Sequence, residues 1–142
     1  MSEFEHNAQQ FNWPVRVYHE DTDGAGVVYY ANYLRYFERA RTEWLRALGF
    51  EQPELAVQHQ VVFVVRSINV EYLLPARFND ALKISVELDN AGASQITMTQ
   101  RVFRGDEVLV EARVRLACIN QADMKPVRMP KPLSAKIGKK NK

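Results

Sequence analysis

The fold of this chain is decided by residues 18–48, which read YHEDTDGAGVVYYANYLRYFERARTEWLRAL. The first nine positions combine three carboxylates with two glycines, a composition typical of a loop. From residue 30 onward, apolar residues recur every three or four positions and charged residues take the other faces. This spacing predicts an amphipathic helix of roughly five turns that ends at Gly49, which would take the C′ position.

Strand patterns lie on both sides of this helix. Before it, residues 13–17 alternate with a period of two, and Pro14 restricts that strand to a sheet edge or to its own start, because proline cannot donate to a ladder. After it come four further strand-like runs, at residues 61–74, 82–89, 96–102 and 108–118. Turn residues at 90–92 and 104–106 separate the last three runs and predict antiparallel hairpins.

The order of elements predicts the fold class. One long helix cannot bury its apolar stripe alone, and a curved antiparallel sheet of five strands wrapped around it is the natural two-layer solution. We therefore expect an α+β fold in a single domain, residues 1–122, because 142 residues suit one core. Residues 123–142 are expected to form a basic C-terminal tail.

Composition excludes several classes of protein. Hydrophobic residues make up 46% of the chain, charged residues 25%, and Gly and Pro together number only twelve, which excludes disordered and collagen-like chains. No apolar run approaches the ~20 residues that a membrane-spanning helix needs, and the start of the chain lacks the pattern of a secretion signal. The single cysteine, Cys118, excludes an internal disulfide and fits a reducing compartment. We expect a cytoplasmic protein.

Charge is distributed unevenly along the chain. Residues 1–122 carry twelve Lys and Arg against sixteen Asp and Glu, whereas residues 123–142 carry seven Lys and Arg against Asp123 alone. A basic tail attracts anionic partners such as an acidic protein or a membrane surface, and the alternative is a solvated terminus that aids solubility. The tail has no aromatic residue to stack on bases, so nucleic acid is not an expected partner.

Chemistry is concentrated in the loop before the helix. Its clustered carboxylates repel one another unless something stabilises them, and its glycines permit backbone conformations that other residues avoid. The first N–H groups of the following helix are unpaired donors at the positive end of the helix dipole. Together these features suit acyl chemistry, with a carboxylate as attacking group or base and a helix end that polarises a carbonyl. The alternative is that Asp21 and Asp23 merely cap a turn and the helix entrance.

Residues 17–41 resemble the signature of hot-dog-fold acyl-CoA thioesterases of the 4-hydroxybenzoyl-CoA thioesterase type. Within that family, the chain is most similar to the branch associated with the Tol-Pal system of the bacterial envelope. Further matches are residues 63–66, 70–72, 75–77, Asp80 and 124–131. The resemblance covers about residues 11–132 and implies a hot-dog fold, in which the sheet wraps the long helix.

The resemblance also implies the site and its roles. Asp23 would be the catalytic carboxylate, either as nucleophile or as general base, and the backbone N–H of Tyr30 would polarise the thioester carbonyl. Gly26 and Asn32 would adjoin the substrate, and Asn32 would orient the loop together with Asp21. The reaction needs no metal and no resident cofactor, because the coenzyme A moiety is part of the substrate. Acyl chain length is not implied.

The other site candidates have two readings each. Many members of the branch carry histidine where this chain has Tyr30, so the resemblance implies a backbone role there rather than side-chain acid–base chemistry. Arg66 and Arg77 would bind the phosphates of coenzyme A, or would be paired or snorkelling arginines. Glu38 and Glu43 lie at helical spacing from several arginines, which favours surface ion pairs over catalysis.

The resemblance implies partners as well. Related domains pair their sheets edge to edge, so a homodimer or homotetramer is expected. A second hypothesis from another class is a binding module for acyl carrier protein or for a membrane-associated lipid-synthesis complex, with weak hydrolysis. The basic tail would attract either partner. Binding to the lipid-synthesis complex would place the protein at the inner face of the inner membrane.

Overall fold

The computed structural model of the protein describes residues 9–138, and they form two layers, a sheet and a set of helices. The strands are β1 Gln10–Arg16, β2 Val61–Tyr72, β3 Ala81–Ala91, β4 Gln95–Arg104 and β5 Glu107–Asn120. The helices are α1 Asn32–Ala47, α2 Gln52–His59 and α3 Lys131–Ile137, and a single 3-10 turn spans His19–Asp21. The predicted order of a strand, a long helix and four strands is confirmed.

The five strands form one antiparallel sheet in the order β1-β3-β4-β5-β2. The two edges are therefore β1 and β2. Pro14 lies in β1 opposite Lys83 of β3. Because proline has no N–H to donate to a ladder, its place in an edge strand agrees with the sequence prediction. Only Gly105 and Asp106 separate β4 from β5, and Gly105 has φ +60°, a conformation common in two-residue hairpin loops.

The long helix α1 covers the β1 and β3 side of the sheet and carries much of the core. Its buried residues recur with the helical period predicted from the sequence: Tyr33, Tyr36, Phe37, Ala40, Trp44 and Leu45. The helix ends as predicted at Gly49, which has φ +96° and donates its N–H to the carbonyl of Arg46 at 2.9 Å. The N–H of Phe50 bonds the carbonyl of Leu45, which completes a Schellman motif.

The described part of the basic C-terminal region contains an element that the sequence analysis did not predict. Helix α3 buries Leu133 and Ile137, and Met129 just before it is buried too. The basic residues Lys139, Lys140 and Lys142 lie outside the described residues. None of the helices within residues 9–138 is long and apolar enough to cross a membrane.

Candidate active site

The loop between β1 and α1 folds into a miniature hairpin around Asp23. Thr22 and Val28 pair as an isolated bridge, and the N–H of Asp23 bonds the carbonyl of Val27 at 2.9 Å. The hairpin turns at Gly26, whose φ of +82° lies in the left-handed region that favours glycine. The space where a Cβ would stand on Gly26 is open, so this glycine is needed for its backbone conformation rather than for clearance.

The carboxylate of Asp23 is exposed, and only one of its two oxygens accepts a hydrogen bond within residues 9–138. Its Oδ1 accepts the N–H of Ala25 at 2.8 Å, so the residue does cap a turn. Its Oδ2 accepts no hydrogen bond from any residue within 9–138. One carboxylate oxygen thus anchors the turn and leaves the other available for chemistry.

Asp21, two residues earlier, is buried, and both of its carboxylate oxygens accept hydrogen bonds. Its Oδ1 accepts the side-chain amide of Asn32 at 3.0 Å, and its Oδ2 accepts the N–H of Tyr18 at 2.9 Å. Its backbone carbonyl accepts the N–H of Tyr29 at 3.0 Å. Because Asn32 is the first residue of α1 and is itself buried, this network ties the start of the loop to the start of the helix.

Tyr36 lies one helical turn beyond Asn32 and is completely buried. Its hydroxyl is the one buried side-chain polar atom within residues 9–138 that lacks a partner at hydrogen-bond geometry. Burial raises the pKa of this hydroxyl, and the nearby carboxylate of Asp21 raises it further. The hydroxyl therefore stays protonated beside a charged carboxylate.

The backbone N–H of Tyr30 is a free donor at the entrance of α1. It bonds to no acceptor in the described part of the chain, as expected of a group at the open end of a helix. The carbonyl of Tyr30 accepts the hydroxyl of Tyr72, from the end of the edge strand β2, at 3.2 Å. Tyr72 thus restrains the backbone of the residue that carries the free donor.

A second loop, residues 73–80, holds the hairpin from one side. The N–H of Val28 bonds the carbonyl of Ala76 at 2.8 Å, and Val27 pairs with Arg77 as an isolated bridge. The N–H of Ala76 bonds the hydroxyl of Tyr33 on α1 at 3.0 Å. A salt bridge of 2.9 Å between Asp80 and Arg104 connects the second loop to the end of β4.

A cavity of about 240 Å³ opens between these two loops. Its walls are mostly apolar and aromatic: Val28, Tyr30, Tyr33, Tyr72, Leu73, Leu74 and Pro75. The ring of Tyr72 meets that of Tyr30 edge-on at 6.1 Å between centroids and that of Tyr33 at 5.7 Å. Since an apolar cavity of about 150 Å³ holds a benzene molecule, this one is large enough for a compact acyl group.

The remaining predicted residues lie in different places. Arg77 is next to the hairpin, and its guanidinium is exposed and has no bonding partner among residues 9–138. Arg66 is exposed at a bulge of β2 between Val65 and Ser67. It stands six residues before Tyr72, a distance of about 20 Å along an extended strand. One chain therefore does not bring Arg66 to the hairpin.

The two helix glutamates behave differently. Glu43 forms a salt bridge of 2.6 Å with Arg46, which confirms the surface ion pair predicted for it. Glu38 forms no salt bridge with residues 9–138 and lines a second cavity of about 230 Å³ together with Arg41 and Trp44. Arg41 is held there by Gln100 at 2.9 Å, and burial lowers the pKa of its guanidinium.

Two further observations concern metals and thiols. Within residues 9–138, no cluster of His, Cys, Asp and Glu side chains has the arrangement of a metal site. Cys118 is completely buried, and burial raises its pKa to about 11. Its thiol is therefore a small core group rather than a nucleophile, as its place at the end of an alternating apolar face predicted.

Sequence reasoning did not identify the three residues that complete the site, Tyr33, Tyr72 and Arg104. Tyr33 and Arg104 look like an ordinary helix residue and an ordinary hairpin residue in the sequence. Tyr72 lies near the end of the strand-like run 61–74, where an aromatic residue is usually a packing residue. Only the tertiary contacts between distant segments show that they hold the two loops.

Comparison with known proteins gives consistent results. A family model described as the thioesterase-like superfamily matches residues 17–137. The "Acyl-CoA thioesterase YbgC" of Haemophilus influenzae is 44% identical over 125 residues, which cover 88% of this chain and 92% of that protein. The "Acyl-CoA thioester hydrolase YbgC" of Escherichia coli is 44% identical over 132 residues, covering 92% of this chain and 98% of that protein.

Solved structures agree on the fold. A probable thioesterase from Bartonella henselae is 38% identical, with a TM-score of 0.81, and the match covers 85% of this chain and 99% of that one. A 1,4-dihydroxy-2-naphthoyl-CoA thioesterase from Synechocystis, at 23% identity, has a TM-score of 0.83 over 90% of this chain and 95% of its own, and its likeness concerns the fold alone. The predicted hot-dog architecture is confirmed.

Proposed function

This chain belongs to the thioesterase-like superfamily, and from that premise we propose that it hydrolyses the thioester of acyl-coenzyme A to a free acid and coenzyme A. The proposal rests on one observation. The same short loop carries the exposed carboxylate of Asp23, one oxygen of which accepts no hydrogen bond within residues 9–138, and the free N–H of Tyr30. Thioester hydrolysis needs a carboxylate of this kind and a donor for the developing oxyanion.

In this mechanism the carbonyl oxygen of the thioester accepts the N–H of Tyr30, which stands at the positive end of the α1 dipole. Asp23 then acts in one of two ways. As a nucleophile, its free oxygen attacks the thioester carbon, the C–S bond breaks, and water hydrolyses the resulting anhydride. As a general base, it takes a proton from water, which attacks the same carbon. Both routes end with the carboxylic acid and the thiol of coenzyme A.

The other residues of the site position these two groups. Asp21 and Asn32 fix the loop relative to α1 by their buried hydrogen bond, and Gly26 supplies the turn that presents Asp23. The tyrosine-lined cavity beside Tyr30 receives the acyl group. Arg77 is exposed, has no bonding partner among residues 9–138 and contacts the phosphates of coenzyme A. Arg66 contacts these phosphates from the neighbouring subunit.

We also propose that the protein works as a homodimer or homotetramer. Within residues 9–138 the edge strand β2 pairs only with β5, so no strand of this part of the chain bonds the N–H and C=O groups on its other side. Four apolar side chains of β2 and of the loop directly after it are exposed: Val65, Tyr72, Leu73 and Leu74. Pairing two β2 edges about a two-fold axis would cover both features.

A second function is favoured by the C-terminal region. Lys125, Arg128, Lys131 and Lys136 are exposed, and none forms an ion pair with residues 9–138. Such a surface suits an acidic partner such as acyl carrier protein, or a lipid-synthesis complex at the inner face of the inner membrane, as the resemblance to the Tol-Pal-associated branch implies. Under this proposal the protein is cytoplasmic, the basic residues of 123–142 form a docking surface and hydrolysis is weak.

The experiment that separates the two functions measures free-thiol release from short, medium, long and aromatic acyl-CoAs. Turnover of at least one substrate that depends on Asp23 supports the hydrolase. Absence of turnover on the whole panel by a folded oligomer contradicts it and favours the binding module. Replacing Lys125, Arg128, Lys131 and Lys136 by Gln then tests the second proposal, which expects weaker carrier-protein binding and unchanged turnover of free acyl-CoA.

A further inference from the structure

Two exposed aromatic rings stack beside the hairpin without any role in the core. The imidazole of His19 and the phenyl ring of Phe78 lie 3.7 Å apart between centroids, with 8° between their planes. His19 is exposed and Phe78 is 45% exposed. An aromatic ring that keeps this much surface in water and lies outside the hydrophobic core contributes little to burial, so its placement needs another explanation.

The stack is held on rigid backbone. The N–H of Asn79 bonds the carbonyl of Val17 at 2.9 Å, and the N–H of Val17 bonds the carbonyl of Asp80 at 3.0 Å. The side-chain oxygen of Thr22 donates to the carbonyl of His19 at 2.8 Å. Both rings are therefore carried by segments that are hydrogen-bonded on each side, and the stack is a preformed surface.

Positive charge flanks this stack. Arg77 directly precedes Phe78, and its guanidinium bonds to nothing within residues 9–138. Arg16 donates one guanidinium N–H to the carbonyl of Asn79, the residue after Phe78, at 2.8 Å, which leaves its other donors available. Two acids are close by: Glu20 is exposed beside His19, and Asp80 is already paired with Arg104.

An exposed aromatic ring with two arginines nearby has the chemistry of a nucleotide site. Flat faces of aromatic side chains stack on bases, and guanidinium groups bind phosphate through parallel N–H donors. We propose that the adenine of coenzyme A stacks on the exposed face of Phe78, whose other face is backed by His19, and that Arg16 and Arg77 contact its phosphates. This inference rests on the proposed function, because coenzyme A is the ligand that function supplies.

The location agrees with this assignment. His19 precedes Asp23 by four residues, so the two are separated by at most about 14 Å of chain. Arg77 is bridged directly to Val27 in the same hairpin as Asp23. The thioester and the nucleotide of acyl-CoA are joined by the long, flexible pantetheine arm, which spans such a separation. One substrate molecule would then contact both the hairpin and the stack.

Truncated substrates test the proposal. An acyl-pantetheine carries the same thioester but no nucleotide, so it cannot contact the stack. Phe78→Ala is expected to raise KM for acyl-CoA about tenfold, with kcat nearly unchanged, because a remote binding contact is lost. The change should affect neither KM nor kcat for the matching acyl-pantetheine. Phe78→Tyr, which keeps a stacking face, should behave like the wild type.

Arg115→Gln is the matched control, because Arg115 is an exposed arginine on β5. It should change neither substrate's kinetics. Equal effects of Phe78→Ala on acyl-CoA and acyl-pantetheine would show a structural role and overturn the proposal, and so would an absence of any effect. A change of oligomeric state by light scattering in Phe78→Ala would also overturn it, by making the stack an interface.

The proposal can be distinguished from the hydrolase itself by binding measurements. Calorimetric titration with free coenzyme A needs no turnover, so it tests the stack even if no acyl-CoA is hydrolysed. Wild-type protein is expected to bind coenzyme A more tightly than pantetheine, and Phe78→Ala is expected to remove that difference. Equal affinity of the wild type for both compounds would contradict the nucleotide site.

Discussion

Asp21 and Asp23 are chemically identical, stand two residues apart and have opposite environments. Asp21 is buried, and both of its carboxylate oxygens accept hydrogen bonds. Asp23 is exposed, and one of its oxygens is free of any partner within residues 9–138. The comparison shows how one short motif places two carboxylates in different environments. Hydrogen bonds to both oxygens make Asp21 an anchor, whereas Asp23 keeps a free oxygen, which the proposed mechanism uses.

The largest expected effect is on Asp23. Asp23→Asn keeps an oxygen that accepts the N–H of Ala25, so the turn is preserved, but it removes the charged nucleophile or base. We expect kcat to fall by about 10²-fold or more, while the free energy of unfolding changes by less than ~0.5 kcal/mol. Thiol release and urea unfolding measure the two quantities, with Asp106→Asn in the exposed β4–β5 turn as the control. Retained activity would refute the catalytic assignment.

Asp21→Asn is expected to affect stability more strongly than activity. The new amide cannot accept from both Asn32 and the N–H of Tyr18, so one of these two donors loses its partner. Loss of a hydrogen bond to a charged group costs about 1.5–3 kcal/mol, so the midpoint of urea unfolding should drop clearly. Activity should fall as well, through disorder of the loop. A variant that unfolds like the wild type would show that Asp21 is not an anchor.

Gly26→Ala tests whether the hairpin depends on its positive φ. The open space around this glycine accepts a methyl group, so the expected cost of about 1–2 kcal/mol comes from the backbone alone. Gly24→Ala is the matched control, since the space there is open too and its φ is not in the left-handed region. Equal stability and equal turnover of the two variants would contradict the account of the turn.

Tyr72→Phe sharpens the role of the free N–H of Tyr30. This change removes only the hydroxyl that donates to the carbonyl of Tyr30, and the ring that lines the cavity remains. We expect kcat to fall about three- to tenfold with little change in KM, as loss of one neutral hydrogen bond predicts. Tyr29→Phe is the control, because the hydroxyl of Tyr29 has no hydrogen-bond partner within residues 9–138. Equal kinetics of both variants would remove Tyr72 from the site.

The smallest expected effect concerns alkaline pH and Tyr36. Its pKa is raised in the folded state by burial and by Asp21, so the unfolded chain releases this proton at a lower pH than the folded chain does. The stabilisation is complete below the unfolded pKa near 10.0 and is lost as the pH rises above it. Urea unfolding between pH 9 and 11 should show a steeper fall in stability for the wild type than for Tyr36→Phe. Parallel curves would contradict this linkage.

The sequence allowed much of the fold to be predicted, because its signals are local. The helical period of α1, its end at Gly49 and the alternation in β3, β4 and β5 are each visible within a dozen residues. Helix α3 was not predicted, since its stability comes from burial of Leu133 and Ile137 in the core rather than from a local pattern in a basic segment.

The site was predictable only in part, for the same reason. The catalytic candidates Asp23 and Tyr30 share one continuous motif, so the resemblance and the helix entrance both point to them. The contacts of Tyr72 with Tyr30 and of Phe78 with His19 join residues more than forty positions apart. No periodicity or composition encodes such pairs. The resemblance implied different roles for Asp21 and Asp23, but the burial and the two hydrogen bonds of Asp21 are visible only in the structure.

The most direct test of the central claim measures turnover and unfolding free energy for Asp21→Asn and Asp23→Asn side by side, in one buffer and with one acyl-CoA. We expect a crossed pattern: Asp23→Asn is as stable as the wild type and nearly inactive, whereas Asp21→Asn is clearly less stable and, per folded molecule, the more active of the two. Equal losses of activity and stability in both variants, or an active Asp23→Asn, would contradict it.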